Sequence, residues 1–182
     1  MSNEPLPWER RAAEVSVDEP GLLVDLERCI GCHACSVACK TAHRVPLGTF
    51  RMRVRWLPRP DRDQLAFVPL FDAEQCDLGE NARAYGMAPE CVRACPTAAL
   101  VYGDRADPEG ELVRAERERE AKPFESAAAT HPDVRYAGQE PWMGEAVGAG
   151  VPLSPEDPDI TYEQPAPGEA ARRANDGRSH PT

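Results

Sequence analysis

Seven cysteines are the residues of this 182-residue chain whose type and spacing could do chemistry. The first four form the pattern C-x2-C-x2-C-x3-C within residues 29–39, and the other three lie within residues 76–95. Thiolates spaced this closely can share metal ions, and an odd count in a chain without an export signal does not favour disulfides. The sequence therefore predicts metal ligation by Cys29, Cys32, Cys35, Cys39, Cys76, Cys91 and Cys95.

The spacing of the first run is typical of ferredoxins, which hold cubane iron–sulfur clusters. Three thiolates on one tight loop can bind three corners of a cube, and Gly31 permits the positive φ that such a loop often needs. Backbone N–H groups along the loop can then point at the cluster sulfurs. The second run ends as C-x3-C-P at Cys91, Cys95 and Pro96, which is the usual second half of this pattern.

In this pattern the last cysteine of each run ligates the other cluster, so two clusters are predicted. The predicted ligands are Cys29, Cys32, Cys35 and Cys95 for cluster A, and Cys39, Cys76 and Cys91 for cluster B. Cluster A is predicted to be [4Fe–4S]. Cluster B lacks a fourth cysteine, because Gly79 stands where a C-x2-C pair would place it. A [3Fe–4S] cluster is favoured for cluster B, and a [4Fe–4S] cluster with an oxygen ligand from Asp77, Glu80 or water is the alternative. Replacing Gly79 by cysteine is then expected to convert cluster B towards four irons.

Two other uses of the cysteines are weaker alternatives. Structural zinc sites also use four cysteines, but they are usually built from paired C-x2-C knuckles. A disulfide scaffold is weaker still. Ile30, Val37 and Val92 are predicted to shield the clusters from water. No acidic residue or histidine stands in a context that suggests catalysis, so a non-catalytic role is predicted.

The composition limits the class of protein further. The net charge of −10, from 31 acidic and 21 basic residues, repels nucleic acid and anionic membrane surfaces. An aromatic content of 6% and 19 prolines predict no large conventional core, so a metal centre would supply cohesion. No apolar run approaches the roughly 20 residues of a membrane helix. Without an apolar signal segment, the predicted location is the cytoplasm, with co-export to the periplasm beside a signal-bearing partner as the alternative.

Short elements must position the cysteines. Short helices are predicted over residues 36–43 and 89–94, and short strands over residues 22–24 and 98–102. Within residues 44–75, an alternating segment (RMRVRW), a Pro-Arg-Pro-Asp turn and an apolar segment predict a β-hairpin. The predicted fold class is α+β, with a ferredoxin-like dicluster domain over residues 21–103 and the hairpin as an insertion in it.

Long extended arms are predicted on both sides of this domain. Residues 1–20 are polar, contain prolines and form the N-terminal arm. Residues 104–182 contain no cysteine; within them residues 112–121 are charged and predicted to be helical without a clear apolar face. The rest is either a solvated tail or a strap that docks on a partner through its aromatic residues. Those aromatic residues are Phe124, Tyr136, Trp142 and Tyr162.

With both cysteine runs in hand, residues 22–104 resemble the iron–sulfur subunits of the dimethyl sulfoxide reductase family of molybdenum or tungsten oxidoreductases. The segment CIGCHACSVACK is similar to the first cysteine motif of those subunits, and CDLG with APECVRACPTAALVYG is similar to the last. The two middle motifs of such subunits are absent.

This resemblance implies an electron-transfer subunit whose partner is a large catalytic subunit with a molybdenum- or tungsten-pterin site. A membrane-anchor subunit or a further electron carrier is a candidate second partner, whereas no nucleic acid and no membrane span of its own are expected. Two alternatives stay open at this point. One is a free soluble dicluster ferredoxin, and the other is a cluster-binding accessory or assembly protein.

Overall fold

The computed structural model describes residues 17–125 and 130–148 as a mixture of helices and sheets. The predicted combination of α and β structure is thereby confirmed. In chain order the elements are β1 (Pro20–Asp25), α1 (Ala34–Ala42), β2 (Met52–Pro58), β3 (Leu65–Phe71), α2 (Glu80–Arg83), α3 (Glu90–Arg93), β4 (Leu100–Asp104), α4 (Glu111–Glu118), β5 (Lys122–Pro123), β6 (Val134–Ala137) and α5 (Pro141–Gly148). None of these helices is long and apolar enough to cross a membrane.

A four-stranded sheet in the order β4-β1-β6-β5 forms the centre of the fold. Strand β1 is antiparallel to β4 and parallel to β6. Leu22 and Val24 of β1 pack into the main core, which also contacts cysteines of both runs, whereas Leu23 packs on the opposite face. A strand buried on both faces must be apolar at successive positions, which explains the uninterrupted Leu-Leu-Val segment.

The predicted β-hairpin is present as β2 and β3. The two strands are antiparallel from Met52 opposite Phe71 to Pro58 opposite Leu65. Apart from the buried Pro69, its buried residues belong to the main core; they are Met52, Val54, Leu57, Ala66, Val68, Leu70 and Phe71. The hairpin therefore packs beside the cysteines rather than projecting away from them.

The described residues after position 104 do not form the extended arm that the sequence predicts. Strand β6 lies between β1 and β5 in the central sheet, and α4 covers one face of that sheet. Phe124 and Tyr136 are buried in the main core and Trp142 packs against it, so these aromatic residues are not free anchors for a partner. Residues 1–16 of the predicted N-terminal arm, residues 149–182 of the tail and the predicted anchor Tyr162 lie outside the described residues.

Helix α4 confirms the predicted helix but has the apolar face that the sequence analysis missed. Leu112 is fully buried and Ala115 nearly so, and both pack with Leu23. Glu116, on the same helix, is buried and accepts a hydrogen bond of 2.9 Å from Arg105. The buried face of α4 consists of one leucine, one alanine and one glutamate. Because only two of these residues are apolar, the sequence shows no clear apolar periodicity here.

Replacing Leu112 by alanine tests whether α4 belongs to the folded unit. Cβ atoms at Gly21 and Gly103 would lie within 3 Å of Leu112, so these glycines make the space that its side chain fills. We expect Leu112→Ala to lower the free energy of unfolding by about 2–5 kcal/mol through loss of buried contacts and a residual cavity. Chemical denaturation of the purified protein measures this, with Leu47→Ala as control because Leu47 is 71% exposed. Equal, small effects of both substitutions would contradict the packing of α4.

Candidate iron–sulfur cluster sites

Two cavities beside the main core are lined by separate sets of cysteines. One is lined by Cys29, Cys32, Cys35 and Cys95. The other is lined by Cys39, Cys76 and Cys91. The structure thus brings together the two sets that cross-ligation predicts for clusters A and B, and we name the cavities after these clusters. All seven thiols are free of disulfides.

Each C-x3-C pair divides its two thiols between the cavities. Cys35 and Cys39 lie one helical turn apart on α1, yet Cys35 lines the cluster A cavity and Cys39 the cluster B cavity. Cys91 on α3 and Cys95 just after it are divided in the opposite sense. A spacing of four residues places both thiols on the same side of a helix at different heights, so one helix can serve two neighbouring sites.

The loop that carries the first cysteines is held by the hairpin and by β1. Gly31 has a φ of +68°, and a Cβ atom there would lie 2.3 Å from the ring of Phe67 on β3. Only glycine fits this close approach without a shift of the ring. Before the loop, Asp25 accepts hydrogen bonds from the N–H groups of Glu27 and Arg28, which turns the chain from β1 towards Cys29.

Backbone N–H groups act on several of the cysteine sulfurs, whereas the sequence analysis expects such groups to point at the sulfurs of the cluster itself. The N–H of Ala99 donates to Cys95 Sγ at 3.3 Å. The backbone N–H groups of Gly31, Ser36, Leu78 and Val92 act in the same sense, because each opposes the rise of pKa at Cys29, Cys35, Cys76 and Cys91 respectively. Donors of this kind stabilise negative charge on sulfur, so they favour thiolates bound to metal.

Burial disfavours the thiolate form of five of the seven cysteines. Burial raises the pKa of Cys35 and of Cys39 to about 11, with further increases from neighbouring thiols. Burial also raises the pKa of Cys29 and Cys76, and that of Cys91 well above its usual value. Thiols crowded together with their own N–H donors become thiolates when a metal binds, with release of protons.

These features fit iron–sulfur clusters. The cysteines of each cavity line one space, all of them except Cys32 are at least partly buried, and five of the seven have a backbone N–H group that favours negative charge on sulfur. Within the described part of the chain, no group of three or more His, Cys, Asp or Glu residues is arranged around a single metal ion. A cubane cluster spreads its thiolates over separate corners, and this is the kind of group that the two cavities could hold.

Three non-cysteine positions, Asp77, Gly79 and Glu80, bear on whether the cluster B cavity offers a fourth ligand. Asp77 lines the cavity, but one of its oxygens accepts the Gly79 N–H at 2.9 Å and the other pairs with Arg51 at 2.7 Å. Burial acts to raise the pKa of Asp77, yet the bonds from Arg51 and Gly79 outweigh it and hold that pKa below its usual value. A Cβ atom at Gly79, whose φ is +74°, would lie 2.6 Å from Pro89 Cγ. Glu80, the other predicted oxygen donor, is exposed.

Residues 130 and 131 are tied to the segment that leads to Cys76, a contact that the sequence analysis missed. Thr130 forms a bridge with Asp72, and the N–H of His131 donates to the Phe71 carbonyl at 3.0 Å. The only sequence signal was the short Val-Arg-Tyr-Ala alternation, which is too brief to stand out from its surroundings.

The expected apolar shield is only partly present. Val92 is partly buried against the main core, but Ile30 is 57% exposed and Val37 is 62% exposed. Both exposed residues flank the cluster A cysteines in the chain, and Cys32 itself is exposed. The cluster A cavity therefore lies near the protein surface at this loop.

Comparisons with known proteins agree with this geometry. Residues 20–41 match the family of 4Fe-4S binding domains. The thiosulfate reductase electron transfer subunit PhsB of Salmonella typhi is 36% identical over 99 residues, which is 54% of this chain and 45% of that protein. The predicted resemblance is confirmed. The chain contains a 4Fe-4S binding segment and is similar to iron–sulfur subunits of reductases.

Two further relatives carry similar descriptions. An iron–sulfur subunit described for the Frd operon of Proteus vulgaris is 39% identical over 107 residues, 58% of this chain and 60% of its own length. A protein of Halobacterium salinarum described as a dimethyl sulfoxide reductase iron–sulfur subunit is 56% identical over 95 residues, 46% of this chain and 34% of its own. The chain thus spans between about a third and three fifths of the length of these relatives.

Proposed function

We propose that this protein transfers electrons through two iron–sulfur clusters as the small subunit of a molybdenum- or tungsten-pterin oxidoreductase. The observation that carries the proposal is the division of seven cysteines between two adjoining cavities. The relatives described as reductase subunits support the assignment to a larger complex. The catalytic subunit with its pterin site is the proposed partner, and catalysis is assigned to that partner.

The proposed cofactors are one [4Fe–4S] cluster at cluster A and one [3Fe–4S] cluster at cluster B. Four cysteines line the first cavity and three line the second. The case for three irons is supported by Asp77, whose two carboxylate oxygens already have partners, and by Pro89, which blocks a side chain at Gly79. When bound, such clusters take up and release single electrons at potentials that their surroundings set.

The polypeptide holds the two clusters close to each other and excludes water from one side of both cavities. Cys35 and Cys39 lie one helical turn apart on α1 and line different cavities, which supports a short distance between the two clusters. The sheet and the hairpin keep water from the inner side of both cavities, while Cys32 is exposed at the outer end. This arrangement gives a short conducting route with one end at the surface.

Anaerobic isolation of the tagged protein from its native cells, with mass spectrometry of co-purified proteins, tests the proposed role. We expect a large pterin-binding subunit in roughly stoichiometric amount. The control is a tagged variant that carries Cys29→Ser and Cys39→Ser and therefore cannot hold its clusters. A partner that docks on the cluster-bearing surface should not co-purify with this variant. Recovery of the protein as a lone iron-containing monomer would contradict the subunit role and favour a free ferredoxin. Clusters that cannot be cycled reversibly would favour an accessory or assembly protein.

A further inference from the structure

Three large apolar side chains are exposed around the loop that carries the cluster A cysteines. Ile30 is 57% exposed, Val37 62% and Trp56 54%, and we call these three residues the apolar patch. His33 joins them. It lines the cluster A cavity together with Ile30, and its carbonyl accepts the Val37 N–H at 3.0 Å. Its ring centre lies 5.7 Å from that of Trp56. A cluster of exposed large apolar residues, an aromatic one among them, is typical of an interaction site.

The apolar patch adjoins an exposed ligand of cluster A. Cys32 precedes His33 in the chain and is the only exposed one of the seven cysteines, all of which lie within the described residues. Trp56 is held at the edge of this loop, because its ring meets that of Phe67 edge-on at 5.7 Å and Phe67 lies close against Gly31. An aromatic side chain that is already held in place loses little conformational entropy on binding. A protein bound to the patch would therefore lie beside the exposed cysteine of cluster A.

The chain is basic where it carries the apolar patch, although it is acidic as a whole. Residues 28–60 contain seven basic and no acidic residues, so all 31 acidic residues lie elsewhere in the chain. Arg28 is exposed directly before the cysteine loop, and Arg44 is exposed after α1. Lys40 lies one turn after Val37 on the same side of α1. Its ammonium group donates to two backbone carbonyls, which are neutral groups.

We propose that the apolar patch and the basic residues beside it form the docking face for an acidic surface of the protein that exchanges electrons with cluster A. This inference rests on the proposed function, under which that protein is the catalytic subunit. Two bases of residues 28–60, Arg51 and Arg59, pair with carboxylates of this chain, and the others supply the positive charge. Acidic residues around an apolar centre would complement both parts of the face. Nucleic acid and anionic membranes are poorer occupants, because a chain of net charge −10 repels them.

Site-specific photo-cross-linking in the native cells tests this docking face. The photoreactive residue p-benzoylphenylalanine replaces Trp56 in the tagged full-length chain. In the matched control it replaces Tyr85, which is 79% exposed and follows α2 in the segment of the cluster B cysteines. We expect irradiation to join position 56 to an acidic segment of a redox protein, identified by mass spectrometry of the cross-linked peptides. Iron analysis shows whether each labelled protein holds its clusters. If the label at position 56 prevents loading, the exposed Val37 takes it with the same expectation.

Arg28→Glu tests whether charge selects the partner. In the chain labelled at position 56, we expect this substitution to lower the cross-link yield by about two- to fivefold, which is the effect of losing one exposed ion pair. Arg117→Glu is the matched control, because Arg117 is exposed on α4 and α4 covers the opposite face of the central sheet. It makes the same change of charge and should leave the yield unchanged. Equal yields from the two variants would overturn the choice of an acidic partner.

Other products at position 56 would overturn the proposal. They are cross-links to residues 149–182 of the same chain, to a second copy of it, to lipid or to nucleic acid. A fully loaded protein that cross-links from position 85 but from neither position 56 nor position 37 would also overturn it. Failure of the proposed function is recognised separately. Position 56 would then be joined to an acidic redox protein that has no pterin site, and the docking face would stand.

Discussion

Replacing Cys95 by serine is expected to remove cluster A and to leave cluster B bound, although Cys95 follows two cluster B ligands in the second cysteine run. Cys95 lines the cavity of Cys29, Cys32 and Cys35, and its sulfur accepts the Ala99 N–H within that site. We expect the iron content to fall by about half, since a four-iron cluster is lost and the other is retained. Iron analysis together with EPR of the purified variant measures both parts of this prediction.

Cys39→Ser is the matched control for this assignment. Cys39 belongs to the first run and lies one turn after Cys35, but it lines the cluster B cavity. We expect loss of the cluster B signal with cluster A retained, which is the opposite result from that of Cys95→Ser. If each substitution instead removed the cluster of its own run, the cross-ligation of the two runs would be wrong.

Replacing Gly79 by cysteine is expected to lose cluster B rather than to complete it. The sequence alone predicts a gain towards four irons, but the structure places a Cβ atom at this position 2.6 Å from Pro89 Cγ and 3.0 Å from Pro89 Cα. The positive φ of +74° adds a backbone cost, for a combined penalty of about 2–5 kcal/mol. Because Pro89 precedes α3, relief of this contact would displace Cys91. We expect a loss of roughly three irons per chain.

Gly79→Ala and Gly48→Ala separate the two sources of strain at position 79. Gly48 has a φ of +85° but nothing within 4 Å of a Cβ atom, so its substitution adds backbone strain alone. We expect Gly79→Ala to lose cluster B and Gly48→Ala to retain both clusters, with a lower melting temperature only. Iron analysis and thermal unfolding provide the comparison. A Gly79→Cys protein with a full four-iron cluster B and unchanged stability would contradict this prediction, because Pro89 would then move aside at little cost in free energy.

Much of the candidate site could be predicted from the sequence because its ligands are close in the chain. The spacing of a C-x3-C pair fixes the relative positions of its two thiols, since four residues correspond to about one helical turn. This is why Cys35 and Cys39 can line different cavities. The hairpin was predictable for a similar reason, because its alternation and its turn are local features.

The contributions of β6 and α4 could not be predicted in the same way. Strand β6 has only four residues, and its parallel pairing with β1 joins segments more than a hundred positions apart in the chain. Pairing over such distances leaves no local pattern, so the sequence alone places Tyr136 and His131 in a tail. The contact between Gly79 and Pro89 is equally invisible in the sequence, where the missing cysteine looks like a position that could be refilled.

Iron and sulfide analysis with EPR of the anaerobically purified, oxidised protein tests the central claim most directly. The account predicts about seven irons and about eight sulfides per chain, with a paramagnetic signal from cluster B, because an oxidised [3Fe–4S] cluster is paramagnetic. About eight irons and a silent oxidised sample would contradict the three-iron assignment for cluster B. Zinc in place of iron, or no more than about four irons per chain, would contradict the presence of two clusters.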